Sequence, residues 1–285
     1  MIMKILVFGA SGFLGKSLVK LLEKQKNIEV FRAVRSRKDI KGKNSILGNL
    51  NSTFSIKRIL DITSPNLVVN LAAEVSFKKK NDDMFLVNAI APKIIANYCS
   101  LKRIRYIHTS TILVNGSQNK FFDNKTSYNP DSEYGKSKLI VDLNIIKLGG
   151  NYSILRFPGI YGFKGPSHLG INVSISNALN NKKPILSGNG NSKRNYIFVE
   201  DAAKKIISLI YKKHNGIVYL GGQTISFREM LYNIYKLWLP NYKIKIQKTK
   251  NKIHDQISVV KKEFSSCTNF YESLKKIDKE KVNHV

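Results

Sequence analysis

Gly9-Ala10-Ser11-Gly12-Phe13-Leu14-Gly15 decides the fold. The stretch follows the apolar run Ile5-Leu6-Val7-Phe8 and opens a segment with helical spacing, Leu14, Leu18, Leu21 and Leu22. Strand, glycine turn and helix in that order give such a motif its meaning. Glycines let the chain turn tightly and bring its backbone close to a ligand. The helix that follows turns its free N–H groups and the positive end of its dipole towards the turn, which suits a pyrophosphate. The stretch therefore predicts a dinucleotide loop at the front of an α/β fold.

Working outward, Glu29 to Val34 reads as a second strand, and it ends in Arg35-Ser36-Arg37-Lys38. In dinucleotide folds the residue about 20 positions beyond the loop selects the cofactor: an acid binds the ribose 2′-hydroxyl, an arginine accommodates a 2′-phosphate. Arg35 favours NADP, with NAD as the alternative. Residues 41–50 read as a polar loop ending Gly48-Asn49-Leu50, followed by a helix carrying Ile56, Ile59 and Leu60. Leu67-Val68-Val69-Asn70-Leu71 is apolar almost throughout, as a parallel strand covered on both faces would be. Ala72 and Ala73 are small and leave room for a ligand at its carboxyl end. Lys78-Lys79-Lys80 reads as a solvated loop. One long helix is expected from Asp83 to Ser100, with Val87, Ile90, Ile94 and Tyr98 on one face. Arg105-Tyr106-Ile107-His108 is the next strand and leads into Thr109-Ser110-Thr111; His108 is read as packed rather than catalytic.

Beyond a polar loop at 115–133, Tyr134-Gly135-Lys136-Ser137-Lys138 opens another helix, which runs to about Leu148. The spacing of Tyr134 and Lys138 stacks them on one helical face. A tyrosine hydroxyl near pKa 10 shuttles protons poorly at neutral pH. A neighbouring ammonium is expected to lower that value and make the hydroxyl a usable acid or base. Thr111 or Ser110, at the preceding strand end, can hold the substrate oxygen beside it.

The chain has 285 residues, enough for one large α/β domain or a nucleotide domain with a smaller partner. Lysine and arginine number 48 against 19 acidic residues, a net charge of +29. The lysines are spread, not clustered, among many Asn and Ile residues. This favours compositional bias plus attraction to a phosphorylated small substrate over nucleic-acid binding. Cys99 and Cys267 form no CxxC pattern, so neither a disulfide framework nor a metal site is expected. The glycine loop begins nine residues in, and no apolar run reaches the roughly 18 residues of a membrane span. The expected location is the cytoplasm.

Taken together, GASGFLG (9–15), NLAA (70–73), STILVNG (110–116), YGKSK (134–138), LRFPGIYG (155–162) and GNGNSKRNYIFVEDAA (188–203) resemble the extended short-chain dehydrogenase/reductases. Within these, the resemblance is to the NAD(P)-dependent epimerase/dehydratase group acting on nucleotide sugars. It covers roughly residues 3 to 235. It implies that Thr111, Tyr134 and Lys138 are the catalytic Ser/Thr, Tyr and Lys, with Lys138 also on the nicotinamide ribose. It implies cofactor contacts from Gly9, Ser11, Gly12, Phe13, Leu14, Gly15, Arg35, Asn49, Leu50, Leu71, Ala72, Ala73, Asn88, Tyr134 and Lys138. Arg194 matches an arginine that clamps the nucleotide diphosphate, and Asn172 lies where the family contacts substrate. Asp201 is explained by capping the helix it precedes. The front half, Pro65 to Ala73 with Val87 to Pro92, resembles dTDP-4-dehydrorhamnose reductases; Gly188 to Ala203 resembles UDP-glucose 4-epimerases. Asn49 stands where the family usually has Asp. Ile112 and Leu113 stand where the 4,6-dehydratases carry an Asp-Glu acid and base, so water elimination is not expected.

The expected fold is a doubly wound parallel sheet (Rossmann) with a small C-terminal substrate-binding lobe. Residues 1–157 with 196–225 form the cofactor domain, and 158–195 with 226–285 the lobe. Ser226 and Glu229 read as a capping box, and Phe270, Leu274 and Ile277 as one face of a terminal helix. The expected reaction is reduction of a 4-keto nucleotide-diphosphate sugar. A 4-epimerase using the same residues is the alternative, and a non-catalytic cofactor-sensing Rossmann protein the alternative of another class. Family members often pair through the two helices placed at 83–100 and 134–148, which implies a homodimer.

Overall fold

The computed structural model describes residues 2–75, 82–249 and 253–283. Lys78-Lys79-Lys80 lie outside the described residues. Seven strands form the main sheet: β1 (Met3–Phe8), β2 (Ile28–Val34), β3 (Ser45–Leu47), β4 (Leu67–Asn70), β5 (Arg105–Thr111), β6 (Tyr152–Phe157) and β7 (Gly216–Tyr219). Their order is β7-β6-β5-β4-β1-β2-β3, and β1 pairs in parallel with both β2 and β4. The chain runs outward from β1 to β3, then crosses back to β4. This switch of direction leaves a crevice at the carboxyl ends of β1 and β4. Ile5, Leu6, Val7 and Phe8 are all buried, as are the four residues of β4 and the seven of β5. That burial explains why these strands read as continuous apolar runs rather than alternating ones.

Helices α1 (Phe13–Leu22), α2 (Thr53–Thr63), α3 (Ala91–Leu101), α4 (Glu133–Leu148) and α5 (Val199–Lys212) accompany the sheet. Ser52 caps α2 by accepting from Ser55 N–H, and Ser132 caps α4 by accepting from Gly135 N–H. Strand β3 lies inside the expected 41–50 loop. Three residues at a sheet edge, only partly buried, carry no legible alternation.

The helix expected at 83–100 is interrupted. A short turn, Asp82–Phe85, runs into a π-helical turn, Leu86–Ile90, before α3 begins. Pro92 supplies a reason. It has no N–H for the carbonyl of Asn88, and its ring would press on that carbonyl in a regular helix. The wider π turn relieves both. Contrary to the sequence expectation, one helix among the described residues, Asp83–Leu101, is long and apolar enough to cross a membrane. Ala91, Ile95, Ala96 and Cys99 on this helix are packed into the core instead.

The chain divides into two compact units. Met1–Ser117, Ser127–Arg156 and Ala203–Val218 form the first; Gln118–Thr126, Phe157–Ala202 and Tyr219–Val285 form the second. Residues 118–126, 196–202 and 219–225 thus group with the second unit, not with the first as the sequence suggested. Pairing explains the shift. Phe121–Phe122 runs parallel to Ile257–Ser258, Ile197–Phe198 parallel to Ile160–Tyr161, and Gly222 N–H donates to the Asn195 carbonyl.

In the second unit Tyr161 packs between Phe198 and Phe270, with centroids 5.7 and 5.4 Å away, and its hydroxyl meets Ser273 Oγ at 2.7 Å. The terminal helix Phe270–Val282 buries Phe270, Leu274 and Ile277. The Ser226–Glu229 capping box is formed in both directions. Asp201 corrects its assignment as a cap. It lies inside the first turn of α5, and its carboxylate accepts from Thr268 N–H at 2.7 Å and Thr268 Oγ1 at 2.9 Å.

Candidate functional site

A cleft of about 400 Å³ opens at the carboxyl ends of β1, β2 and β4. Gly9, Ser11 and Gly12 line it, as do Arg35, Asn49, Leu50, Leu71, Ala72 and Ala73. Gly9 has φ +77°, and a Cβ there would lie 2.7 Å from Ala72 N. A Cβ on Gly15 would lie 2.8 Å from the Ala10 carbonyl oxygen. The first glycine therefore packs the loop against β4, and the third seats α1 under the loop. Gly12 is the N-cap of α1 and has no side chain to cap it, so N–H groups of the first turn remain available to an anion. Phe13, Leu14 and Gly15 belong to that first turn and do not line the cleft.

Arg35 is exposed at the rim, next to Ala33 and Val34 at the end of β2. Asn49 turns inward on its own loop: its side-chain oxygen accepts from Asn51 N–H at 2.9 Å, and its N–H donates to Ser55 Oγ. Glu74 and Asp83 also line the cleft, and nothing in their sequence setting marked them.

Thr111, Tyr134 and Lys138 all belong to the first unit. Thr111 ends β5, and its Oγ1 accepts from Leu113 N–H at 3.2 Å as the chain enters the 3₁₀ turn Ile112–Asn115. The start of α4 presses on that turn. A Cβ on Gly135 would lie 2.6 Å from the Leu113 carbonyl oxygen, so the glycine after Tyr134 permits this approach. Asn88 in the π turn joins the cleft to α4. Its amide accepts from Glu74 N–H and donates to the Glu74 carbonyl, both at 2.8 Å, and donates to Ser137 Oγ at 3.2 Å. Asn88 is fully buried, and those bonds make it a clamp between the loop after β4 and the helix carrying Tyr134 and Lys138.

Lys138 is 1% exposed, and its ammonium has no hydrogen-bond partner among the described residues. Burial pulls its pKa down to about 8 against the attraction of Asp142. Tyr134 corrects an expectation. Burial, with the Asp142 carboxylate adding to it, pushes its hydroxyl up to about 12 rather than down. His108 is fully buried, with Nδ1 3.2 Å from Tyr106 Oη and 3.4 Å from Asn70 Nδ2. Burial and the Lys138 charge hold it well below the usual histidine range, so it is a neutral packed group, as its place in the strand suggested.

Asp142 and Arg156 were missed. Asp142 Oδ2 accepts from Ser110 Oγ at 2.8 Å and from Arg156 Nη2 at 3.1 Å, and both charged side chains are at most 1% exposed. The sequence did carry a signal: Asp142 follows Lys138 by the same four residues that separate Lys138 from Tyr134.

Asn172 and Arg194 belong to the second unit. Asn172 is 3% exposed. Its Oδ1 accepts from Gly162 N–H at 3.3 Å, and its Nδ2 donates to the carbonyls of Ile160 and Pro166 at 3.2 Å. Those bonds commit the amide to shaping the 160–166 loop. The Arg194 guanidinium lies 5.2 Å from the centroid of the Phe227 ring and donates to the carbonyls of Lys193 and His254.

The glycine cradle and the unpartnered Lys138 ammonium suit a dinucleotide with a ribose hydroxyl near Lys138. The family model described as NAD dependent epimerase/dehydratase family matches residues 5–221. A GDP-6-deoxy-D-talose 4-dehydrogenase of Aggregatibacter actinomycetemcomitans is 28% identical over 219 residues, covering 74% of this chain and 71% of that protein. The UDP-glucuronic acid 4-epimerase of Bacillus cereus, solved in complex with NAD, superposes with a TM-score of 0.82 at 20% identity, over 95% of this chain and 96% of that one. A dTDP-4-dehydrorhamnose reductase of Clostridium acetobutylicum superposes at 0.79 and 22% identity, over 98% of this chain and all of the other, 100%. With its glycine cradle, its strand order and a match over most of its length, this chain belongs to the NAD dependent epimerase/dehydratase family, whose members are enzymes of nucleotide sugars.

Proposed function

We propose that the protein reduces a 4-keto nucleotide-diphosphate sugar, with NADPH as its cofactor. The observation that carries the reading is the Tyr134 hydroxyl. It carries its proton at neutral pH, as a donor must, and the rise caused by burial and the Asp142 carboxylate hinders removal of a proton from substrate more than donation to a developing alkoxide. The dinucleotide, when bound, supplies the hydride. As a C–H bond forms at the carbonyl carbon, Tyr134 Oη gives its proton to the carbonyl oxygen, and the product is an alcohol. Thr111 Oγ1 orients that oxygen. The Lys138 ammonium holds the cofactor ribose and offsets the negative charge left on Tyr134.

Ile112 and Leu113 occupy the positions where elimination would need an acid and a base, which speaks against a dehydratase. Arg35 at the cleft rim supports NADP over NAD. In this reading Gly9, Ser11, Gly12, Leu71, Ala72 and Ala73 cradle the cofactor and Arg194 meets the substrate diphosphate. The competing reading, a 4-epimerase, rests on the 188–203 segment. It would begin by removing a proton from the sugar hydroxyl, for which a phenol held near pKa 12 is poorly set.

Following NADPH absorbance with a panel of 4-keto nucleotide sugars separates the two. Stoichiometric loss is expected; conversion of a fully hydroxylated nucleotide sugar without net cofactor oxidation would establish the epimerase instead. Tyr134→Phe should lower turnover by about 10²–10⁴-fold, and unchanged turnover would remove Tyr134 from the mechanism. We further infer a homodimer. Ile140 and Leu143 on α4, and Ile90 and Leu101 on the preceding helix, expose apolar side chains. A monomer in light scattering would overturn it.

A further inference from the structure

We propose that Asp142 is a positioning residue that keeps Tyr134 and Lys138 loaded with their protons, setting the site for carbonyl reduction. The proposal rests on the reductive reading above for the direction of the reaction, and on the geometry of α4 for the rest. Residues 134, 138 and 142 follow one another at one-turn spacing, so they share a helical face. That face is turned inward at its last two positions: Lys138 is 1% exposed and Asp142 0%. Charges there act on one another with little screening by salt.

The way Asp142 is held points beyond a structural ion pair. Arg156 Nη2 at 3.1 Å, Arg156 Nε at 3.3 Å and Ser110 Oγ at 2.8 Å all converge on Oδ2. Among the described residues buried Oδ1 has no hydrogen-bond partner, and neither has Lys138 Nζ one turn earlier. An arginine meeting a carboxylate for stability alone favours the two-pronged arrangement that uses both oxygens. Here Oδ2 alone fixes the side chain, and the charge the two oxygens share is left without hydrogen bonds on the Oδ1 side. Arg156 is itself shielded, 1% exposed with its guanidinium 4.7 Å from the Tyr128 ring centroid.

The surrounding charged and titratable groups are few. From β5 come His108, which is neutral, and Tyr106, held far above its ordinary range by burial. From β6 comes Arg156. Lys138 and Tyr134 are therefore the groups whose titration matters. Asp142 acts on both in the same sense, opposing the fall of Lys138 and adding to the rise of Tyr134. Ionised Asp142 requires its own pKa to stay low. Burial raises it above the ordinary carboxylate value, and Arg156, Ser110 and the Lys138 charge each oppose that rise, so the ionised form depends on those three partners.

Asp142→Asn keeps the size and removes the charge. Two profiles are to be compared with wild type across the neutral to alkaline range: kcat for keto-sugar reduction, and calorimetric binding of NADP⁺. In both, the alkaline limb is expected to move to lower pH by about one unit. The binding limb arises because an ammonium lost from Lys138 can no longer hold the ribose. Asp142→Glu, which keeps the charge, should retain the wild-type limb. Should Asp142→Asn fail to fold with the ion pair to Arg156 broken, Asp142→Asn with Arg156→Gln removes both charges together and should move the limb the same way. Unmoved limbs in a folded Asn variant overturn the proposal and leave Asp142 as a partner of Arg156 and Ser110 only. A moved binding limb with no reduction of any keto sugar would instead sink the reductase reading and leave the charge role of Asp142 standing.

Discussion

Two buried cations of the first unit are treated in opposite ways. Arg105 opens β5 at its amino end. Its guanidinium donates to Asn151 Oδ1, Asn215 Oδ1, Ser153 Oγ and the carbonyls of Leu209 and His214. Leu209 and His214 flank the end of α5, where carbonyls lack helical partners and a cation complements the dipole. Lys138 lies on α4, the helix that follows the carboxyl end of β5 along the chain, more deeply buried and with no hydrogen bond among the described residues. A buried cation without partners costs stability, so its retention calls for a reason outside the fold. The amino end of β5, where Arg105 is bonded through all but its Nε, ties the structure together, and the open end is the one the proposed function assigns to the chemistry.

The sharpest break of this contrast would come from Arg105. Arg105→Met should destabilise by about 3–4 kcal/mol, because several buried acceptors lose their donor at once. Chemical unfolding would register the loss, while turnover per folded molecule should stay near wild type. A fall in turnover without a change in stability would show that the two ends are not separable.

Lys138→Met should act with the opposite sign, raising the stability of the cofactor-free protein by about 1–3 kcal/mol while abolishing turnover. A destabilised variant would mean that the ammonium is held structurally after all.

The smallest effect at any one step is in the pH dependence of stability. Lys138 has a folded pKa of about 8 against an ordinary 10.5. Between those values the unfolded chain binds more protons, so stability should rise with pH across that window, by up to about 1 kcal/mol per unit. Tyr134 works the other way only between its ordinary 10.0 and about 12, where the folded state keeps the proton. The difference between wild type and Lys138→Met, measured by urea unfolding at stepped pH, isolates the lysine. A flat difference through the window would remove the desolvation argument.

The satisfied and the open end differed in how much the sequence disclosed. The glycine loop was legible because its geometry is local: Gly9, Gly12 and Gly15 act on neighbours within a turn or on the next strand. Tyr134 and Lys138 were legible for the same reason, being one turn apart. The rise of the Tyr134 pKa was not, because it depends on how deeply α4 is buried and on Asp142 further along the helix. Residues 118–126 read as loop because the partner of Phe121–Phe122 lies more than a hundred residues later. Asn172, placed by resemblance near substrate, is engaged by three backbone groups that no local pattern announces. The π turn had a signal, Pro92, that the apolar periodicity at 87, 90, 94 and 98 concealed.

That turn also sets how the chain tolerates changes in length. A π turn holds one residue more than the α-helical path it replaces. Deleting a single residue between Leu86 and Ile90 would let the helix run on unbroken, and an ordinary measure of helicity would register almost nothing. Every side chain before the deletion would nonetheless turn by about 100° around the axis relative to α3. Asn88 would then leave Glu74 or Ser137, and the loop that floors the cleft would lose its tie to α4. At 86–90 the number of residues is thus as binding a constraint as the identity of Asn88 itself.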